Sequence, residues 1–270
     1  MHAYDTGSRL LATGGGTQVE GAAGGGLVPW AVLSGYGQHG ELGGEVFATY
    51  ARTDDYALGA AGVSVAVGNR VELSLATQLL DIDDLADDLG LPDDTLRQNI
   101  LGAKLRLFGD LIYGALPQVS AGIQYKENTD FDVPGIAGAR DDEDFEFYLA
   151  ASRLWLSGIH GYPVLINIAL RASRANQLGL LGFGGDKDNS RDLLFEASAG
   201  IFLRRDLVLG YEYRQKPDNL GFAEEDDWQD AFLAWFPNKY VSLTGAWVDL
   251  GSVAGKSGQN GFYISVEGTY

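Results

Sequence analysis

From residue 42 to the C-terminus, the sequence repeats runs of about nine to twelve residues in which apolar residues alternate with small or polar ones. In 71–80, Val71, Leu73 and Leu75 share one parity, and Glu72 and Ser74 share the other. A period of two residues is that of a β-strand whose two faces meet different surroundings. The pattern recurs at 100–108, 118–126, 164–173, 193–203 and 207–215, and less regularly at 42–52, 56–67, 145–156, 228–236, 240–249 and 261–270.

The connections between these runs alternate in length. Short turns lie at 68–70, 158–161, 204–206 and 237–239, whereas longer acidic segments lie at 81–97, 127–144, 174–191, 216–227 and 250–260. Transmembrane barrels combine short periplasmic turns with long extracellular loops, and strands of about 9–11 residues cross the membrane when tilted. The sequence therefore predicts one all-β domain over 1–270, a transmembrane antiparallel up-and-down β-barrel. A soluble acidic β-sandwich or lectin-like fold would make the alternating loop lengths accidental.

The number of strands depends on the Gly-rich N-terminal segment 1–26. Counting from 28–36 gives thirteen strands, whereas single-chain bacterial barrels have an even number. A weak first strand from Ser8 to Glu20 gives about 14 strands, which is our prediction. If everything before Glu41 lies inside or beneath the lumen, 12 strands remain and the N-terminal segment is a partial plug.

Two local irregularities are also predicted. The spacing of Ile82, Leu85 and Leu89 before Gly90 indicates a short helix within 81–97. The alternation in 145–156 slips near Ala151, which we interpret as a β-bulge.

The polar face of the runs carries ionisable side chains that would be costly in a packed apolar core. In a barrel lumen they are hydrated or paired across strands. They form either a constriction that screens solutes by charge or ion pairs that stiffen the wall. The twelve predicted lumen-lining residues are Glu45, Glu72, Lys104, Arg106, Lys126, Glu146, Arg153, Arg171, Glu196, Glu212, Arg214 and Glu267.

Aromatic residues cluster at both ends of the runs, as in the two aromatic girdles of membrane barrels. Those beside short turns are Tyr36, Phe108, Trp155, Tyr162, Phe202, Trp235 and Tyr240. Those beside the other connections are Tyr50, Tyr56, Tyr125, Phe145, Trp228, Trp247 and Phe262.

Charge and composition exclude several functions. The 19 Lys and Arg residues against 37 Asp and Glu give a net charge of −18, which argues against a nucleic-acid partner. The acidic excess lies in the longer segments and predicts an acidic extracellular mouth. Without cysteine, the chain has no disulfide, thiolate zinc site or cysteine nucleophile.

The sequence lacks the residues that would indicate catalysis or metal binding. The three histidines, His2, His39 and His160, all lie outside the long loops, so no catalytic residue, enzyme activity or cofactor is predicted. The run 186–192 has alternate oxygen ligands but lacks the turn glycine and terminal glutamate of a calcium loop, so no metal site is predicted.

Both ends of the chain resemble known sequences. The ending Glu267-Gly268-Thr269-Tyr270 resembles the C-terminal signal that the bacterial outer-membrane assembly machinery recognises through Glu267, Gly268 and Tyr270. Segments 9–15, 20–31, 52–56 and 70–74 resemble an uncharacterised family of Gram-negative outer-membrane proteins. That resemblance implies a location and a shape, and it implies no substrate.

These observations predict a monomeric channel of the bacterial outer membrane for passive passage of small solutes. The alternative is a closed barrel with a structural, adhesion or partner-docking role through its acidic loops. Expected partners are outer-membrane lipid, lipopolysaccharide and the assembly machinery. Because Met1 to Tyr4 lack the basic and apolar regions of a signal peptide, we expect a mature chain from which that peptide was removed.

Overall fold

The protein folds into a closed antiparallel barrel of twelve strands, described here from a computed structural model. The model describes residues 9–38, 40–83, 86, 90, 94–222 and 224–270. Each barrel strand pairs with its neighbour in the chain, and the last strand pairs with the first. The strands are β3 (Leu42–Arg52), β4 (Ala57–Val67), β5 (Val71–Asp81), β6 (Thr95–Phe108), β7 (Gln118–Asn128), β8 (Glu143–Ile159), β9 (Tyr162–Ser173), β10 (Asp192–Arg204), β11 (Leu207–Arg214), β12 (Trp228–Trp235), β13 (Val241–Asp249) and β14 (Asn260–Thr269).

The outer surface of the barrel is apolar because the alternation places one parity outside. On β5, Leu73 is 58% exposed and Leu75 56% exposed, whereas Glu72 and Ser74 are buried inside. A continuous apolar belt of this kind faces lipid in membrane barrels. In the described part of the chain, no helix has the length and apolar composition needed to cross a membrane.

The prediction of about 14 strands is wrong, and the alternative of 12 is confirmed. Residues 9–38 add no strand to the wall and form only the two-residue strands β1 (Gly16–Thr17) and β2 (Ala23–Gly24), which pair with each other. In 28–33 both parities are buried, so this run lacks the exposed face of a wall strand. Pro29 also has no N–H to donate to a ladder, and Gly35 has a φ of +73°.

Helices are short and lie in the connections. A one-turn helix, Asp132–Ile136, follows β7, and a 3₁₀ turn, Asn176–Gly179, follows β9. The short helix predicted within 81–97 rests on Leu85 and Leu89, which lie outside the described residues.

The bulge predicted near Ala151 is wrong. Pairing between β8 and β9 is regular from Phe147 to Trp155, and the register shifts only between Trp155 and Ile159. The alternation of β8 therefore continues unbroken through Ala151 and points Arg153 away from the lumen.

A closed barrel of this kind resists detergent more than an open sheet does, because it has no strand edge to fray. We expect unheated and boiled samples of the refolded protein to migrate differently in detergent gels. Identical migration of a sample with verified β-structure would contradict the closed barrel.

Candidate functional site

Residues 9–38, here called the lumenal segment, fill the inside of the barrel. The segment begins and ends at the same end of the barrel, since the backbone N–H of Arg9 donates to the carbonyl of Tyr36 at 3.2 Å. The Arg9 guanidinium also donates to the carbonyls of Leu33 (3.0 Å) and Gly35 (3.1 Å). This is the end where β3 starts and the chain terminates, because Gly44 and Tyr270 exchange backbone hydrogen bonds.

Carboxylates of the wall accept hydrogen bonds from backbone N–H groups of the lumenal segment. Such bonds to an ionised acceptor are stronger than bonds between neutral groups. Glu45 accepts from Gly35 (2.9 Å), Glu72 from Ser34 (2.9 Å), Glu212 from Leu27 (2.7 Å) and Glu267 from Thr17 (2.8 Å). These four carboxylates of the wall therefore have backbone N–H groups of the lumenal segment as hydrogen-bond partners.

Donors of the wall bind the carbonyl groups of the same segment. Lys104 Nζ donates to the carbonyls of Ala23 (2.7 Å) and Val32 (2.9 Å). Gln118 and Ser120 both donate to the carbonyl of Ala31 at 2.6 Å. Because irregular backbone needs partners when it is buried, these side chains make the fully enclosed segment possible.

The segment also contributes Glu20 to a buried cluster of ionised side chains, here called the central ion cluster. Its members are the acids Glu20, Glu146 and Glu196 and the bases Lys126, Arg171 and Arg214, all of them buried. Glu20 pairs with Arg214 Nη1 at 2.8 Å, with Arg171 Nη2 at 3.7 Å and with Lys126. The three acids balance the three bases, so the segment supplies one of the charges that neutralise the wall.

The cations of the cluster keep Glu20 ionised. Burial alone raises the pKa of this carboxyl group, but the charges of Arg214, Lys126 and Arg171 outweigh burial and hold the pKa well below its usual value. Removing one member of such a buried network leaves the others uncompensated.

Ten of the twelve predicted lumen-lining residues lie buried inside the barrel: Glu45, Glu72, Lys104, Lys126, Glu146, Arg171, Glu196, Glu212, Arg214 and Glu267. Arg106 is only partly buried, and its Nη2 lies 3.4 Å from Asp110 Oδ2 in the connection that follows β6. Arg153 is placed differently from the prediction: it faces outward and donates to the carbonyls of Gly114 (2.6 Å) and Leu116 (3.2 Å). The assumed bulge at Ala151 caused this error.

Glu20 was missed as a site residue. It is the only acidic residue between Asp5 and Glu41, in a segment rich in glycine and apolar residues. A lone charge in such a segment is a signal of a buried partner, because an isolated carboxylate is rarely buried without one.

The aromatic girdles are only partly as predicted. Trp155, Tyr162, Trp235, Trp247 and Phe262 are exposed on the outer wall. Tyr36, Tyr56, Phe202 and Trp228 are instead buried. Of these four, Phe202 on β10 and Trp228 on β12 belong to wall strands, and they give part of the lumen wall an apolar surface.

The other end of the lumen is covered by the connection between β9 and β10. Its Leu178 carbonyl accepts from Lys126 (2.9 Å) and Gln98 (3.1 Å), and its Leu180 carbonyl accepts from Asn128 (2.6 Å). Lys126 therefore touches both the lumenal segment and the connection between β9 and β10. Within the described ranges, no group of three or more His, Asp or Glu side chains is arranged to hold a metal ion.

A family model described as "Protein of unknown function (DUF3034)" matches residues 13–267, from inside the lumenal segment to β14. The chain belongs to this family. The predicted membership of an uncharacterised outer-membrane barrel family is thereby confirmed. No curated protein sequence matches this DUF3034 chain.

Solved structures show the same architecture as the DUF3034 chain at low sequence identity. The KdgM porin is 9% identical with a TM-score of 0.54, and the match covers 84% of this chain and 99% of the porin. Omp33, an outer membrane protein of Acinetobacter baumannii, is 11% identical with a TM-score of 0.50, over 86% of this chain and 100% of the other. The fold is therefore that of outer-membrane β-barrels.

Proposed function

We propose that the protein is an outer-membrane channel for passive passage of small solutes, and that the lumenal segment is its gate. One observation carries the proposal: the segment fills the lumen through noncovalent contacts alone and enters and leaves at one end. A segment placed in this way can withdraw without breaking any hydrogen bond between wall strands. Withdrawal leaves a passage lined by the polar side chains that now bind it.

The size of the barrel supports a channel rather than a solid core. Side chains alone fill the interior of barrels with about eight strands, and larger barrels enclose cavities or channels. Here twelve strands surround a lumen that wall side chains do not fill, and an added segment occupies the space. The KdgM porin, similar in fold, is itself named as a porin.

The outer end carries the acidic loops and favours cations on approach. Exposed acids there include Asp54, Asp142, Glu143 and Glu224. A negatively charged entrance raises the local concentration of cations, and salt screens the effect.

A second candidate function is a permanently closed barrel that acts through its surface loops. The central ion cluster favours it, because breaking a buried pair by removing one partner costs about 3–5 kcal/mol. Such a cost keeps the segment in place unless a solute or partner offsets it. A closed barrel predicts no conducting state even when the segment is loosened.

The location and assembly that we propose follow from the two surfaces of the chain. The apolar belt contacts outer-membrane lipid and lipopolysaccharide, and the ending with Gly268 and Tyr270 contacts the assembly machinery after the signal peptide is removed. Glu267, the first residue of that ending, lies inside the barrel and binds the lumenal segment. We propose a monomer, because the belt runs along the outer faces of the strands. That the chain is not an enzyme stays a prediction.

A substitution that prevents the lumenal segment from packing inside the lumen tests whether the segment closes the channel. A Cβ atom on Gly26 would lie less than 3.0 Å from the hydroxyl oxygen of Tyr263 on β14, a separation that real Cβ atoms do not show. We expect Gly26→Ala to raise the fraction of time that single proteins conduct in planar bilayers at least tenfold.

The matched control is Gly59→Ala on β4, because a Cβ at Gly59 would have no neighbouring atom within 4 Å. The control should conduct like the unmodified protein. If Gly26→Ala folds, as judged by heat-dependent migration, and stays as closed as the control, the closed barrel is the better account.

A further inference from the structure

The two sides of the lumen differ in chemistry. The side formed by β5 to β9 is polar and includes Glu72, Lys104, Gln124, Lys126 and Arg171. The side formed by β10 to β14 also carries buried charged residues, among them Glu196, Glu212 and Glu267, but it adds a cluster of apolar residues that point inward: Phe202, Val208, Phe232, Ala234, Ala246 and Val248. These apolar side chains offer no hydrogen-bonding group to the lumenal segment, so they contact it by packing alone.

Two cavities lie between the segment and the wall, beside these apolar residues. The inner cavity, of about 30 Å³, includes Trp30, Phe202 and Phe232 in its lining. The outer cavity, of about 50 Å³, is lined by Leu58, Leu80, Leu180, Trp228, Val248 and Leu250, among others. Val19 of the segment and Tyr263 of β14 line both cavities. The cavities therefore lie in line along one wall, from the outer loops toward the periplasmic end.

Among the residues that line the outer cavity, Trp228 and Gln177 each carry a buried polar atom that could bind a solute. Within the part of the chain that the structure describes, Trp228 Nε1 and Gln177 Oε1 have no hydrogen-bond partner, although Trp228 is only 5% exposed and Gln177 only 2%. An unmade hydrogen bond at a buried donor or acceptor costs about 1–3 kcal/mol. Buried polar atoms of this kind need an explanation, and a bound group that supplies the missing partners is one.

The charges beside the cavity are already matched. Lys216 Nζ lies 5.3 Å from the centre of the Trp228 ring and pairs with Glu225 at 2.8 Å. Glu225 also accepts a hydrogen bond from Gln177 Nε2, which fixes the other end of that amide. Because these charges neutralise each other, the cavity does not call for a charged ligand.

We propose that the outer cavity is a binding site for small, neutral, mainly apolar solutes that carry one hydroxyl group. The hydroxyl oxygen accepts from the Trp228 indole N–H, and the hydroxyl proton is donated to Gln177 Oε1. The apolar remainder contacts the leucine and valine side chains of the wall. This inference rests on the proposed channel and names the class of solute that it passes.

The size of the site connects it to the gate. A dry apolar cavity that holds benzene has a volume of about 150 Å³, whereas the outer cavity has about 50 Å³. A solute therefore enters only when Val19 and Leu27 of the lumenal segment shift away from the wall. Binding of the solute and loosening of the segment thus favour each other.

The test is equilibrium dialysis of the refolded full chain in detergent micelles, with cyclohexanol and methylcyclohexane as probes of similar size. We expect saturable binding of cyclohexanol that is about tenfold tighter than that of methylcyclohexane, since the hydroxyl satisfies buried polar atoms. Trp228→Phe, which removes the N–H and keeps an aromatic ring, should abolish this preference. Ala51→Phe, which fills the cavity from β3, should abolish saturable binding.

Trp247→Phe on the outward face of β13 is the matched control and should bind like the unmodified protein. Equal binding of the two probes, or unchanged binding by Ala51→Phe, would overturn the assignment, and so would the absence of saturable binding. Dialysis requires no conduction, and conductance requires no solute. A channel without this site and a site without a channel therefore give different pairs of results.

Discussion

Glu20→Gln is expected to open the barrel more than any other single change in the lumenal segment. The substitution removes the one acid that the segment contributes to Lys126, Arg171 and Arg214. Breaking a buried ion pair from one side costs about 3–5 kcal/mol. Because about 1.4 kcal/mol corresponds to a factor of ten, we expect the ratio of open to closed proteins to rise at least about 100-fold.

The measurement is single-channel recording in planar bilayers, with Glu127→Gln as the matched control. Glu127 lies on β7 next to Lys126, but its side chain is exposed, and the substitution changes the net charge equally. The control should open as rarely as the unmodified protein. Equal opening of both variants would show that charge alone, and not the contacts of Glu20, sets the conducting fraction.

The effect of Glu20→Gln should not depend on pH near neutrality. The cations hold the pKa of Glu20 well below its usual value, so its contribution is present at neutral pH and is lost only as the pH falls through that lowered pKa. Between about pH 5 and pH 7 the carboxylate stays ionised in the closed state, since an ordinary glutamate already titrates near 4.3. The ratio of open fractions between the variant and the unmodified protein should therefore be constant over this range. A ratio that falls toward one near pH 5 would contradict the cluster.

The wall of the barrel was predictable because one physical rule governs it. A wall strand has a lipid face and a lumen face, and that difference produces the alternation of Val71, Leu73 and Leu75 with Glu72 and Ser74. The strand predicted at 193–203 is accordingly observed at Asp192–Arg204, and the one predicted at 207–215 is observed at Leu207–Arg214. The bulge assumed at Ala151 does not exist, and it led to the wrong prediction that Arg153 faces the lumen.

The interior was less predictable because its main partner has no periodic pattern. In 28–33 every residue is buried, so the alternation there reflected composition and not two environments. The wall acids Glu45 and Glu267 bind backbone N–H groups, which every residue but proline has and which leave no mark on a sequence. The identities of the charged residues were therefore visible from sequence, but the segment that they bind was not.

The inward aromatic residues are a related case. Phe202 and Trp228 stand at strand ends, where an interfacial girdle also places aromatic residues. Their parity along β10 and β12 points inward, as the buried Glu196 and Asp230 of the same strands do. The location of these residues near strand ends predicted a lipid-facing side chain. Their even positions along the strand, shared with buried residues, predicted a lumen-facing side chain, and this second prediction is the correct one.

The second large effect comes from a disulfide that fastens the lumenal segment to the wall. The hydroxyl oxygens of Ser34 in the segment and Ser64 on β4 lie 2.6 Å apart, so cysteines at these positions suit the short reach of a disulfide. The chain contains no other cysteine to form a wrong pair. In a Glu20→Gln background, oxidation of the Ser34→Cys, Ser64→Cys variant should reduce openings at least tenfold.

A control disulfide joins two wall strands and leaves the segment free. The hydroxyl oxygens of Thr49 on β3 and Ser265 on β14 are 2.8 Å apart and both point inward. Oxidation of the Thr49→Cys, Ser265→Cys pair in the same background should leave openings unchanged. The comparison separates fastening of the segment from a general effect of oxidation or of a tighter wall.

Single-channel recording of the fastened variant before and after reduction tests the gate most directly. Our account predicts few openings while the disulfide between residues 34 and 64 is intact and a return to frequent openings when a reductant cleaves it. Equal conductance and equal opening in the oxidised and reduced states would contradict a gate formed by the lumenal segment.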